Sequence, residues 1–466
     1  MDFDLEMPDK PVETKVDSHR PGVGWAAFGL LILLLVVWQG YYYFTRPTEK
    51  TSPYERYDQV LRMGYTMNQA LKGIEIKPKT GASASEQSLS EQFSDSISEL
   101  AGPRKKDPVA SMVYIGMRDA LGKQIISDDY AILEASKDDS YLAFAEIYRR
   151  KTITKERAEE LSKKLPDLFA SRVARIHAFT MAGEVDAAKR IVPLSEALTM
   201  SLAISVLGFA FCTGSVLWGV YWFMRSSGRL KPLGHRADPL TFAQSDRLAM
   251  RAAQLLALTF FVGSAVPILL NGTLPRGVAT VIGTGASIIA MIGLAGFPVS
   301  GRSILWSDIG WSKLNLGKNI LWGVGGLMAE VPLVLIAVEI SQNLFTGLPE
   351  AKHPMTVALE SQHSPWMIIG AYVAAVIGAP VIEETIFRGM VAPAMVKLTG
   401  SFGVGIVTSG LCFAAIHPTG IPAWPPLAAF GVMGALLNYQ TRSIVPSVVL
   451  HALHNAVLVT IALMIS

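Results

Sequence analysis

Nine stretches of this chain, give or take one, read as candidates to cross a lipid bilayer, and no other feature limits the fold as much. A spanning helix needs about 20 mostly apolar residues, because its backbone polar groups must be satisfied within the segment. The stretches fall near 25–44, 198–224, 252–272, 277–298, 320–344, 366–390, 402–418, 425–440 and 444–465. The expected fold class is all-α: a polytopic membrane protein of about nine transmembrane helices. Composition agrees, since only 17% of the residues are charged against about 25% in an average soluble chain. This excludes a disordered chain, a collagen-like chain and an ordinary soluble enzyme. There are two cysteines, Cys212 and Cys412, both inside apolar runs, so a disulfide scaffold is excluded as well. A net charge of +3 makes no case for a nucleic-acid partner.

The first stretch ends in Tyr41, Tyr42, Tyr43 and Phe44, residues suited to a membrane interface. It begins far from the N-terminus and lacks a small-residue cleavage site, so it reads as a signal anchor rather than a removable signal peptide. Short loops rich in Lys and Arg face the cytoplasm. The stretch 225–251 carries Arg225, Arg229, Lys231, Arg236, Arg247 and Arg251, and 299–319 carries Arg302, Lys313 and Lys318. Arg388, Lys397 and Arg442 fall on the same side, whereas the loops Asn271 to Arg276 and Pro418 to Pro426 carry little positive charge. Nine alternating spans reproduce this pattern with the N-terminus in the cytoplasm of a cell-membrane protein.

The domain reading follows. Residues 1–24 are a cytoplasmic tail, 25–45 the anchor, 46–195 an extramembrane helical insert, 196–365 the N-terminal membrane helices and 366–466 a catalytic core. Within the insert, 78–99 is Ser-rich and reads as a linker or an exposed helix. From 108 to 192 the apolar spacing is helical, with a break expected at Pro166 and a helix start capped by Thr154. The run Arg175 to Lys189 is faintly like one helical-repeat hairpin, but a repeat array needs several copies. A small helical domain is the plain reading, and a substrate-binding or partner-binding role the alternative.

Polar residues inside membrane helices are costly, so they mark function. Here they gather near the C-terminus in three elements. The first is Glu383-Glu384-x-x-x-Arg388. At about 100° per residue, Arg388 lies about 40° from Glu384 and about 140° from Glu383. Glu384 and Arg388 therefore pair, and Glu383 faces elsewhere as a free carboxylate able to act as a general base. The second is Phe413-x-x-x-His417 and the third His451-x-x-x-Asn455, each pair sharing one helix face. His454 lies about 60° from His451 on the same helix. Each element has a structural reading: charges at the membrane surface, a histidine at a helix end, a helix–helix hydrogen bond. Together they supply a base, a group to orient water and donors for an oxyanion, which is the equipment of hydrolysis. His and Glu also ligate zinc. Serine and cysteine nucleophile schemes are disfavoured, because no G-x-S-x-G occurs and Cys412 has no evident basic partner.

In that order the three elements resemble the signature motifs of the CAAX prenyl endopeptidase family, the type II CAAX protease and bacteriocin-processing group of intramembrane proteases. The resemblance covers about 366–460. It implies an intramembrane endopeptidase acting on a membrane-associated protein or peptide. By motif position it makes Glu383 the base, His417 its partner in activating water, and His451 and Asn455 the oxyanion stabilisers. Glu384, Arg388 and Phe413 support them. Members are often labelled metalloproteases, and a zinc ion would take Glu383, His417 and His451. A metal-free mechanism suits Asn455 better, because Asn is a poor zinc ligand beside His. The anchor, the insert and the loop with Pro418, Pro422, Pro425 and Pro426 depart from the compact members and leave the substrate open. Many relatives belong to organisms without protein prenylation, so a CAAX substrate is not implied.

Glu330 and Glu339 also lie in an apolar span but point about 180° apart, and neither joins the expected site. Two other classes remain. One is a non-catalytic scaffold or bacteriocin-immunity-type protein of the same fold, which has no need of an unpaired Glu383. The other is a proton-coupled carrier, disfavoured by the absence of two matching halves.

Overall fold

The computed structural model describes residues 22–45, 52, 54–73, 93–230, 240–295, 306, 307, 309–311, 315–345, 348, 351 and 364–465. Among them the regular structure is helical, and β pairing is limited to one bridge between Asn271 and Leu274. The protein is an all-α polytopic membrane protein, with eight helices among the described residues long and apolar enough to span. We number the membrane helices α1 Val23–Thr45, α2 Leu194–Ser226, α3 Phe242–Leu269, α4 Arg276–Ala295, α5 Leu316–Leu344, α6 Pro365–Thr399, α7 Phe402–Ala415, α8 Trp424–Thr441 and α9 Val445–Ile465. Helices of the insert are given by residue range.

The ninth apolar stretch is α7, and it is short. Its 14 residues rise about 21 Å at 1.5 Å each, less than the hydrocarbon thickness of about 30 Å. Gly400, at φ +67°, ends α6 in the left-handed region, and Ser401 caps α7 by accepting from the Val404 amide. At the other end Pro418 follows His417 and stops the helix. The sequence places His417 at this stop. Lys231, Arg236, Arg302 and Lys313, on which part of the loop-charge reading rests, lie outside the described residues, as do 1–21 and 78–92.

The chain divides into two compact units, Met1–Arg46 with Ala210–Ser466, and Pro47–Phe209. The second has its own apolar core, in which Leu61, Phe93, Leu100, Met112, Ile115, Met117 and Phe144 are fully buried. Its helices include Pro108–Ala120, Asp139–Arg149, Lys155–Lys164 and Phe169–Met181. Thr154 caps Lys155–Lys164, and Leu165, extended as a residue before proline tends to be, breaks the chain at Pro166. Phe169–Met181 lacks a cap from its own N-cap residue, Leu168. Buried Asp58, far away in sequence, does that work: its carboxylate accepts from the Phe169 amide at 2.6 Å and the Ala170 amide at 2.8 Å. Burial, opposed by these two donors, leaves its carboxyl above the usual range. Asp58→Ala strands both donors, at about 1–3 kcal/mol each. We expect faster hydrogen exchange across 169–181 in the full chain, with exchange in α9 unchanged.

In the membrane unit α1 is a packed helix. Trp25 and Phe28 are buried among Leu248, Ala252 and Leu256 of α3. The Trp25 amide donates to Asp246 Oδ1 at 3.1 Å and its indole N–H to Ser245 Oγ at 3.4 Å. Gly24 permits this approach, since a Cβ there would lie 2.0 Å from the Asp246 carbonyl oxygen. Backbone cannot retreat as a side chain can, so Gly24→Val is expected to cost about 1–3 kcal/mol and to raise hydrogen exchange across 22–30 and 245–252. At the far end of α1 the buried Tyr43 packs on Gly420. The loop that follows His417 is thus held by the first helix. It is also held by α5, where Ser341 Oγ donates to the Pro422 carbonyl.

Candidate active site

The site is built on α6, which is not a plain α-helix. Two π-helical turns, Val373–Gly378 and Phe387–Val391, flank the segment Ala379–Ile386 that carries Glu383 and Glu384. The sequence explains both. Each π turn runs into an Ala-Pro pair, Ala379-Pro380 and Ala392-Pro393. The Ala379 N–H reaches five residues back to the Ala374 carbonyl, and the Ala392 N–H likewise to Phe387. The next donors in that register would serve the carbonyls of Ala375 and Arg388. They are prolines and have no N–H. Each of these carbonyls receives an asparagine from another helix. Asn455 of α9 donates to Ala375 O at 2.7 Å, and Asn438 of α8 donates to Arg388 O at 2.6 Å. Bulges of this kind often occur at functional sites.

Glu384 and Arg388 are completely buried and pair at 3.1 Å, as their helical spacing predicts. The guanidinium stacks on Phe413, 4.3 Å from the ring centroid, and lies 5.6 Å from that of Phe430. Gly434 leaves room for it, because a Cβ there would stand 2.8 Å from Arg388 Nε. The other oxygen of Glu384 accepts from His451 Nδ1 at 2.8 Å. That bond fixes the ring and turns Nε2 toward Glu383, 3.9 Å from its Oε2. From α7, His417 Nδ1 donates to the Phe413 carbonyl at 2.7 Å, and its Nε2 stands 3.6 Å from the same Glu383 oxygen. Both gaps exceed hydrogen-bond length and suit a bridging water.

Six of the seven residues expected from the sequence therefore meet. Glu383, His417 and His451 face one another, while Glu384, Arg388 and Phe413 hold them. Asn455 stands apart, in that its amide nitrogen serves Ala375. Its second amide hydrogen is the one left for other work. Among the described residues no three His, Cys, Asp or Glu side chains are grouped so as to hold a metal ion.

The comparisons with known proteins bear on this segment. Residues 365–457 match the family model described as type II CAAX prenyl endopeptidase Rce1-like. The resemblance read from the three motifs holds. A Bacillus subtilis (strain 168) protein named "Putative membrane peptidase YdiL" is 27% identical over 151 residues, 32% of this chain. The chain spans 59% of that relative's length. No solved structure matches. All seven expected residues lie inside the Rce1-like segment.

Four contacts around the Rce1-like residues were not foreseen. Phe430 of α8 packs on His451 and His454, each at 4.9 Å between ring centroids. Asn438 donates to the Arg388 carbonyl inside α6, and the indole N–H of Trp311 donates to Thr385 Oγ1 at 3.0 Å. Glu330 of α5, almost wholly buried, pairs with His454 Nδ1. An acidic residue in an apolar span and a second histidine inside the third motif were visible signals, but the two are more than a hundred residues apart in sequence.

Proposed function

We propose that this protein is an intramembrane endopeptidase that hydrolyses a peptide bond in a membrane-associated protein or peptide. What supports the reading is the convergence of one carboxylate, Glu383, with two imidazoles from two other helices. In the reaction, water lies between Glu383 and His417. One hydrogen goes to the His417 Nε2 lone pair and the other to Glu383, which takes the proton as oxygen attacks the carbonyl carbon. His451, carrying a proton on each ring nitrogen in the reacting state, keeps Nδ1–H on Glu384 and donates from Nε2 to the developing oxyanion, and the second amide hydrogen of Asn455 aids it. Glu384, neutralised by Arg388, keeps the His451 ring in place. The Rce1-like match and the Bacillus relative's printed name agree with a membrane protease.

The reaction is proposed to need no zinc. Purified protein in phospholipid vesicles, incubated with solubilised membrane proteins, is expected to generate new termini at the same rate before and after exhaustive chelation. Loss on chelation with recovery on zinc would instead make Glu383, His417 and His451 ligands. The membrane proposed is the cell membrane with the N-terminus in the cytoplasm, and the partners proposed are the substrate and lipid, with no nucleic acid. A cysteine-reactive, membrane-impermeant label at an added N-terminal cysteine checks the orientation by labelling only after cell lysis.

A further inference from the structure

The mechanism above removes a proton from water but names no group that gives one to the departing amine. An amine leaves poorly without a proton, so a group charged for that task belongs near the scissile bond. The Glu330–His454 pair takes no part in activating water. His454 rises from the same helix as His451, one turn on, and both imidazoles pack against the one Phe430 ring at 4.9 Å. His454 Nδ1 donates to Glu330 Oε1, and the other oxygen of Glu330 is buried with no hydrogen-bond partner. The side chain of Glu330 is 3% exposed, whereas that of His454 is 22% exposed, so the pair opens at the histidine. The other carboxylates on helices packed against α9 are committed. Glu384 serves His451 and Arg388, Glu383 faces His417 and His451, and Glu339 of α5 is bonded to Asn343.

We propose that His454, held in place by Glu330, is the general acid that protonates the leaving amine. The inference rests on the peptidase reading. As the C–N bond breaks, its electron pair takes the proton from His454 Nε2, and His454 becomes neutral. Glu383 meanwhile holds the proton drawn from water. Release of that proton to solvent and uptake of one by His454 restore the starting state. The new carboxyl terminus carries the oxygen of water, and the new amine carries the proton of His454.

The test compares two leaving groups. The segment cleaved in cells, once mapped by its new termini, is synthesised with its scissile amide and again with an ester at that one position. An alkoxide leaves with far less help from an acid than an amine does. For His454→Gln and Glu330→Gln the amide rate is expected to fall about 10²–10⁴-fold, while the ester rate stays within about tenfold of wild type. The double variant is expected to be no slower than His454→Gln alone, because the two residues act as a unit. Equal loss on amide and ester by both variants, with wild-type elution from a sizing column, would make the pair structural and overturn the proposal. An undiminished amide rate in both would overturn it too. Wild-type protein that cleaves neither substrate would remove the peptidase reading, and this inference with it.

Discussion

Glu383→Gln is expected to lower peptide cleavage about 10²–10⁴-fold, the usual contribution of a positioned general base, and to leave the fold intact. The substitution keeps the size of the side chain and one acceptor oxygen. It removes only the ability to take a proton from water. Glu383 is the member of the acidic pair without an arginine, and its Oε2 stands 3.6 Å from His417 and 3.9 Å from His451. Both imidazoles are fixed through their Nδ1 atoms, by the Phe413 carbonyl and by Glu384. They do not depend on Glu383 for orientation, so the loss should appear in the rate. The expected pattern is a fall in kcat with KM little changed and an unaltered thermal midpoint.

Arg388→Met should act on stability. Glu384 and Arg388 pair at 3.1 Å with neither exposed. Removing the guanidinium leaves a buried carboxylate with only the His451 hydrogen bond to offset its charge, which costs about 3–5 kcal/mol. The stack on Phe413 is lost with it. A large fall in the denaturation midpoint of the detergent-solubilised protein would show this. Glu384→Gln combined with Arg388→Met removes both charges together and should recover much of the stability. It should not recover activity, because the amide oxygen offers His451 a neutral, weaker acceptor in place of the carboxylate. Recovery of activity in that double variant would show that the pair serves the fold alone.

The sequence carries the membrane class and the polar set clearly, and for physical reasons. Apolar runs of spanning length have no other stable use, and a helix puts residues four apart on one face. That is why the Glu384–Arg388 pair and the separate outlook of Glu383 are legible from spacing. What spacing cannot carry is contact between helices. His451 meets Glu384, and Glu330 meets His454, across gaps in sequence that no local rule bridges. Periodicity also assumes an even helix. The two Ala-Pro pairs turn parts of α6 into π turns, so Asn455 finds an orphaned carbonyl that a regular helix would have satisfied. Its pairing across helices fits the plain structural reading of that residue at one of its two amide hydrogens. The count of spans differs by one short helix because Ser401 and Pro418 fix the ends of α7 closer together than its apolar composition implies.

The central claim is that Glu383 makes this chain a protease. It is tested most directly by comparing protein termini in membranes from cells that carry wild type or Glu383→Gln at matched expression. The account predicts a set of new termini present with wild type and absent with the variant, on proteins embedded in or anchored to the membrane. Identical termini in the two, with the variant folded and fully able to replace wild type in the cell, would contradict it and point to a membrane scaffold that binds rather than cuts.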